Sequence, residues 1–179
     1  MDEIVRAAMR KWPNVPHCYG WLNVDMAGRW RVGAWPGEVI HHAGLNAFIG
    51  RNYLRFDDGS YIFQNGPQRV YVRLEYTPYV YRLADATGQR FVAHTGQAVE
   101  RVDAWFTDEH GHVLLLTPLG IGVLDGRDLS AWTVACEALG DMPELELIES
   151  STVAKRFGFI PSPSQVEGTK LTTSLESRA

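Results

Sequence analysis

Along this chain two spacings of apolar residues take turns. Between residues 69 and 76 the period is two: Val70, Val72, Leu74 and Tyr76 alternate with Arg69, Tyr71, Arg73 and Glu75. Successive side chains of a strand point to opposite faces, so this run predicts a strand with one apolar and one amphipathic face. Its neighbour is the run 61–64, and the Asn65-Gly66-Pro67-Gln68 segment between them is a tight-turn signal in which Pro67 blunts part of the ladder. Further strands are predicted at 19–24, 29–32, 79–83, 90–94, 104–106, 113–116 and 121–124, with an edge strand around Leu145 and Leu147.

The other spacing is helical. Ile4, Ala8 and Trp12 recur behind Asp2 and Glu3, and Pro13 and Pro16 end that helix. Leu45, Phe48, Ile49 and Tyr53 mark a second helix, and Leu129, Trp132, Cys136 and Leu139 a third that Asp128 caps and Gly140 stops. A short fourth helix is predicted at 151–159. The sum is an α+β fold, mainly antiparallel sheets built from hairpins with three or four short helices.

Two stretches echo each other: "FDDGSYIFQNGPQRVYV" from Phe56 and "FTDEHGHVLLLTPLGIGVL" from Phe106 both place acidic residues before a glycine, then a strand, a Pro-containing turn and another strand. "VDMAGRWRV" from Val24 is a partial third copy. Hairpins in general want Asp and Gly at such turns, so chance recurrence and duplication both stand at this point. The expected organisation is one domain over 1–160, or two lobes at 1–83 and 84–160. A tail at 161–179, without aromatics or periodicity, is expected to be disordered.

With 179 residues, 45% of them hydrophobic, the chain can bury a real core. Its net charge of −4 argues against a nucleic-acid partner or an anionic membrane surface. Met1-Asp2-Glu3 opens straight into a polar helix, so no signal peptide is expected, and no apolar run is long enough to span a bilayer. The two cysteines, Cys18 and Cys136, read as reduced, and the expected location is the cytoplasm.

The stretches "KWPNVPHCYGWL", "FIGRNY", "FQNGPQRVYVRLEYTPYVYRL", "HTGQ" and "LDGRDL" together resemble an uncharacterised proteobacterial family, a domain of unknown function, over about residues 1–139. The order of elements is similar to that of a second unknown-function bacterial family, of α+β fold with repeated motifs and a suspected signalling or ligand-binding role. These resemblances imply a compact α+β protein and supply no reaction and no catalytic residue.

Candidate chemistry is sparse. Cys18 beside His17 suggests a thiolate and its base, but neighbours on an extended segment point apart; His94 or His42 would have to approach through the fold. Cys136 sits on the apolar stripe of its helix and reads as an inert, buried thiol. His110 and His112, two apart with Asp108 and Glu109 nearby, are the metal candidates, against a reading as solvated turn residues. Phosphate-binding glycine loops and a serine-hydrolase elbow are missing from the sequence, and no cofactor is expected. The row Arg69, Tyr71, Arg73, with Gln64, Asn65 and Tyr79, is the candidate ligand face: guanidinium groups between rings suit a carboxylate, a phosphate or a planar group. The alternative is a solvated sheet face whose arginine stems cover tyrosines.

Three functions follow as expectations. The first is a non-enzymatic protein that binds a small acidic ligand or a protein partner on the Arg/Tyr face, in a regulatory or signalling role. The second is an enzyme using Cys18 with His17 or His94. The third is an interaction or oligomerisation module, such as a homodimer, built on the six tryptophans.

Overall fold

In the computed structural model, which describes residues 1–164, the period-two runs assemble into two six-stranded sheets. The first half of the chain supplies α1 (Glu3–Lys11), β1 (Cys18–Val24), β2 (Trp30–Val32), β3 (Glu38–Val39), α2 (Ala43–Arg51), β4 (Tyr53–Arg55), β5 (Tyr61–Asn65) and β6 (Gln68–Leu74). The second supplies β7 (Tyr79–Leu83), β8 (Phe91–Ala93), β9 (Ala104–Thr107), β10 (Val113–Thr117), β11 (Gly120–Leu124), α3 (Leu129–Leu139), β12 (Glu146–Leu147), a 3-10 turn at Ser150–Thr152, and α4 (Val153–Phe157). The fold is α+β, with two mixed sheets in two lobes. Three of the strand pairings are parallel, β1 with β6, β11 with β7 and β12 with β9; the other seven are antiparallel.

Three local expectations change. Tyr53, read as the end of a helix, opens β4 instead: Asn52 stops α2 by donating its side chain to the Phe48 carbonyl at 2.9 Å, and Tyr53 then pairs with Phe63. Strand β7, which a boundary at residue 83 gives to the first lobe, belongs to the second sheet, so the sheets change between Leu74 and Tyr79. Of the expected tail, Pro161 is tied down, its carbonyl accepting the Leu74 N–H at 2.8 Å; the rest of that expectation, beyond Ser164, lies outside the described residues.

The first sheet runs β3-β2-β1-β6-β5-β4 and the second β12-β9-β10-β11-β7-β8. Set β7 against β1, β8 against β2, and β9 to β11 against β4 to β6, and the two orders coincide. In each the opening strand pairs in parallel with the strand that closes the last hairpin. An isolated bridge between Val92 and Ala98 stands where β3 stands in the first sheet.

One turn recurs at 25–29, 56–60, 93–97 and 108–112. In all four the first residue's N–H donates to the fifth carbonyl, and the N–H of a glycine at position four donates back to the first carbonyl. Those glycines have φ between 71° and 89°, the left-handed region that a three-residue hairpin loop demands of its last residue. The echo between Phe56 and Phe106 is therefore real as turn chemistry but two residues out of register: Phe56 corresponds to Asp108, and Gly59 to Gly111.

Where the lobes meet, the core is aromatic. Trp30 and Tyr53 from the first lobe and Tyr79 from the second pack around His94, and Tyr61 lies edge-on to Tyr79 at 5.8 Å. The Tyr53 hydroxyl donates to the Pro78 carbonyl at 2.9 Å, which satisfies the one polar atom this ring carries inward. In β10 the adjacent Leu114 and Leu115 are both fully buried, so both faces of the strand are covered; that is why Val113 to Leu116 lack alternation.

Candidate functional site between the lobes

Residues 75–78 link the two sheets, and beside them lies a cleft of about 240 Å³. Its walls come from both lobes: Met26 from the first β1–β2 turn, Glu75 and Tyr76 from the linker, His110 and His112 from the β9–β10 turn, and Ser151 from the 3-10 turn.

The centre of this arrangement is Asp108, whose carboxylate is buried and fully used. Its Oδ1 accepts the N–H groups of His110 and His112, both at 2.9 Å. Its Oδ2 accepts the Tyr76 hydroxyl at 2.8 Å and lies 2.8 Å from His112 Nδ1. Burial alone would raise this carboxyl, but the imidazole, the two N–H groups and the hydroxyl outweigh it and hold its pKa below the ordinary value. An ionised carboxylate only accepts, so Nδ1 of His112 carries the proton and Nε2 has no partner among the described residues. Burial, and then the bond to Asp108, push the Tyr76 phenol well up, so it stays a neutral donor. Glu109 is spent on Ser150, accepting its hydroxyl at 2.5 Å and its N–H at 2.9 Å, bonds that lower its pKa.

The like-built turn at 25–29, whose Met26 lines the cleft from the first lobe, separates what builds the turn from what faces the cleft. Asp25 Oδ1 accepts the N–H groups of Ala27 and Arg29 as Asp108 Oδ1 accepts those of His110 and His112. The second oxygens differ. Asp25 Oδ2 binds the Nε atoms of Arg29 and Arg31, each at 2.8 Å, whereas Asp108 Oδ2 binds a phenol and an imidazole. The aspartate is thus a turn component in both lobes; the titratable ring held on it is particular to the second.

The candidates from sequence fall at separate places. Arg69, Tyr71 and Arg73 do share a face of β6, each on its own ring: Arg69 over Phe56 at 4.3 Å, Arg73 over Trp35 at 4.8 Å, and Tyr71 stacked on Tyr19 at 4.2 Å. Gln64 is buried on that face, its amide donating to the Gly66 carbonyl at 2.8 Å to staple the turn, and Asn65 is exposed in the turn. Tyr79 does not join them; it sits in the aromatic junction between the lobes. Glu75, at the end of the same run, caps the Met26 N–H at 2.8 Å.

Cys18 opens β1 and His17 precedes it, and the two lie by opposite faces of β6. His17 lies 6.0 Å from Tyr71, while Cys18 lines an apolar groove with Trp21, Val32, Leu45 and Val70 that has no histidine among its walls. His94 belongs to the junction and His42 caps α2 by accepting the Leu45 N–H. Cys136 is buried on α3, where burial raises its thiol pKa. The His110 and His112 rings are 5.9 Å apart, but among the described residues no group of three or more His, Cys, Asp and Glu side chains is placed to hold a metal ion. Sequence reasoning missed Met26 and Ser151 as walls of the cleft. Neither carries a local signal; the recurrence of Asp-x-x-Gly at 25–28 and 108–111 was the readable mark.

Among the described residues no helix is long and apolar enough to cross a membrane. No curated protein matches the chain. Two solved structures are similar to it: a DUF1285 family protein from Shewanella baltica OS155 (TM-score 0.48, 16% identity, 65% of this chain and 92% of that one) and another from Silicibacter pomeroyi DSS-3 (TM-score 0.48, 15% identity, 74% and 75%). The match to a family runs beyond residue 139 and takes in the 3-10 turn and α4: over residues 1–164 the chain belongs to the DUF2944 family, described as "Protein of unknown function (DUF2946)".

Proposed function

We propose that this protein binds a small polar ligand, without transforming it, in the cleft between its lobes. The observation that carries the reading is the Asp108–His112 pair, a buried carboxylate that fixes an imidazole at the mouth of a two-lobed cleft, where the like-built turn at 25–29 on the first lobe holds only arginines. Ligand pockets favour such junctions because a few convergent polar groups can be preorganised by two rigid bodies. The Tyr76 phenol and the Ser151 hydroxyl add neutral hydrogen-bonding groups around it. Binding without chemistry suits a regulatory or signalling role in the cytoplasm. The shared strand order and turn support reading residues 1–160 as one domain whose two lobes descend from a duplication.

A thermal-shift screen of small metabolites tests this, because a ligand that binds only the native state raises Tm. Hits are expected with the unmodified protein and are expected to vanish in His112→Ala. A screen without hits, or hits unchanged by His112→Ala, overturns the reading.

A second reading rests on a different surface. Trp21 is 60% exposed beside Val32, Leu45 and Cys18, an apolar patch of the kind that mates with protein. A second copy of this chain is the occupant it would take in a homodimer. Sedimentation at micromolar concentration separates the cases: a dimer that Trp21→Ser dissociates supports it, and a strict monomer removes it.

A further inference from the structure

A second cavity, of about 300 Å³, opens between α3 and residues of β8 and β9, from the two ends of the second sheet. Protein interiors pack to crystal density and leave few voids larger than a water molecule, so an open space of this size bounded by large side chains is a feature to be explained. Its wall is a cluster of three rings, two of them stacked. Trp105 on β9 lies 5.1 Å from Trp132 on α3 with the planes 23° apart, and Phe91 on β8 meets Trp105 edge-on at 5.7 Å. Gly88 closes one side so tightly that a Cβ there would stand 2.5 Å from Ala135 Cβ on α3. The buried Cys136 thiol lines the cavity, and Gln89 and Asp141 are exposed at its rim.

The charge around the opening has one sign. Among the described residues Asp141 is the charged one lining it, and no lysine or arginine lines it. Asp85, from the loop that also carries Gly88, is neutralised by Arg90, so it adds little. An aromatic wall attracts a flat ring, and π faces together with a carboxylate favour a cation over an anion. We propose that this cavity is a ligand site for an arylalkylamine, its flat ring lying against Trp105 and Trp132 and its ammonium group, on a short aliphatic arm, reaching the Asp141 carboxylate. The site is separate from the cleft between the lobes and shares no residue with it.

The probe is 2-phenylethylamine, with phenylacetate as its anionic counterpart of the same size. In a Cys18→Ser background, two readouts report on the cavity: the indole N–H resonances of the six tryptophans, and the rate at which a thiol reagent labels Cys136. The amine is expected to shift two of the six indole signals saturably at millimolar concentration and to slow labelling of Cys136 severalfold; phenylacetate is expected to do neither. Asp141→Asn, on the exposed rim, should weaken the amine by about two- to fivefold, the range of an exposed ion pair. Trp105→Leu should abolish the effect, with the other five indole signals showing that the fold persists. The proposal fails if no saturable shift appears, if phenylacetate binds as well as the amine, or if binding survives Trp105→Leu.

Discussion

Single side chains in this protein differ most in how completely their polar atoms are satisfied. Asp108 accepts four hydrogen bonds in a buried position, so Asp108→Ala should cost about 3 kcal/mol by stranding two N–H groups, a phenol and an imidazole. Asp58 accepts only the Ser60 N–H at the equivalent turn of the first lobe, and Asp58→Ala should cost about 1 kcal/mol. Urea unfolding of the two variants measures the contrast; equal losses would mean that the Asp108 network adds nothing beyond its turn. His94 is the opposite case. Its Nδ1 accepts the Val80 N–H, its Nε2 is buried without a partner among the described residues, and burial lowers its pKa from 6.5 to about 3. The unfolded chain therefore binds a proton at His94 that the folded chain refuses, and stability falls as pH drops from 6.5 towards 3, by up to about 1.4 kcal/mol per unit. Asp25, Asp108 and Asp125, all held below the ordinary carboxylate value, act in the same direction but only at lower pH, where their unfolded forms begin to take up protons. Between pH 6.5 and 5 the slope should accordingly belong to His94, and His94→Gln should flatten it.

At the level of elements, the four copies of one turn share a backbone and differ in surroundings. Gly111 has φ +79° and nothing within 4 Å of where a Cβ would stand, so Gly111→Ala should cost only the left-handed strain, about 1 to 2 kcal/mol. Gly28 has φ +71°, but a Cβ there would lie 2.7 Å from His94 Cβ, across the junction between lobes. Gly28→Ala must strain the turn and also push the lobes apart, and it should cost at least twice as much, again by urea unfolding. These turns were largely readable in the sequence, because Gly and Asp at fixed offsets are what their geometry requires. Strands with one covered face were readable for a similar reason, as the alternation in Val70, Val72 and Leu74 shows. The start of β4 was not: Tyr53 stands four residues after Ile49 and completes a helical stripe, and only the side-chain bond from Asn52 to Phe48 marks the stop. The short β3 has two residues, too few for any period to register.

For the whole molecule, what sequence could not supply was which lobe a residue would face. Tyr79 lies five residues beyond Leu74, the end of β6, and its own strand continues the rhythm of aromatics, so it reads as one row with Tyr71 and Arg73. It lies instead in the second sheet, against Tyr53 and Tyr61. The cleft was hidden for the same reason, since Met26, Tyr76, Asp108 and Ser151 are brought together only by the docking of one sheet on the other.

That docking also decides how the protein should unfold. Trp30, Tyr53 and Tyr61 of the first lobe and Tyr79 and Tyr81 of the second are all at most 6% exposed, and each lobe, if freed, would present its part of this cluster to water. Each such ring carries roughly 1.5–3 kcal/mol of burial. Further ties run between the lobes, among them the Tyr53 hydroxyl to the Pro78 carbonyl, the Arg127 guanidinium to the Ala27 carbonyl and the Ile160 N–H to the Gly59 carbonyl. The junction is thus worth as much as the whole net stability of a typical domain, so neither lobe should persist once the other is lost. The expected result is one calorimetric transition, with calorimetric and van't Hoff enthalpies equal, and a chain cut to residues 1–78 that fails to fold. Two resolved transitions, or a folded 1–78 fragment, would make the lobes independent domains. Tyr53→Ala, which removes a ring touching Trp30, Tyr61, Tyr79 and His94 together, should lower the single Tm without splitting it, because the loss falls on an interface that both lobes need.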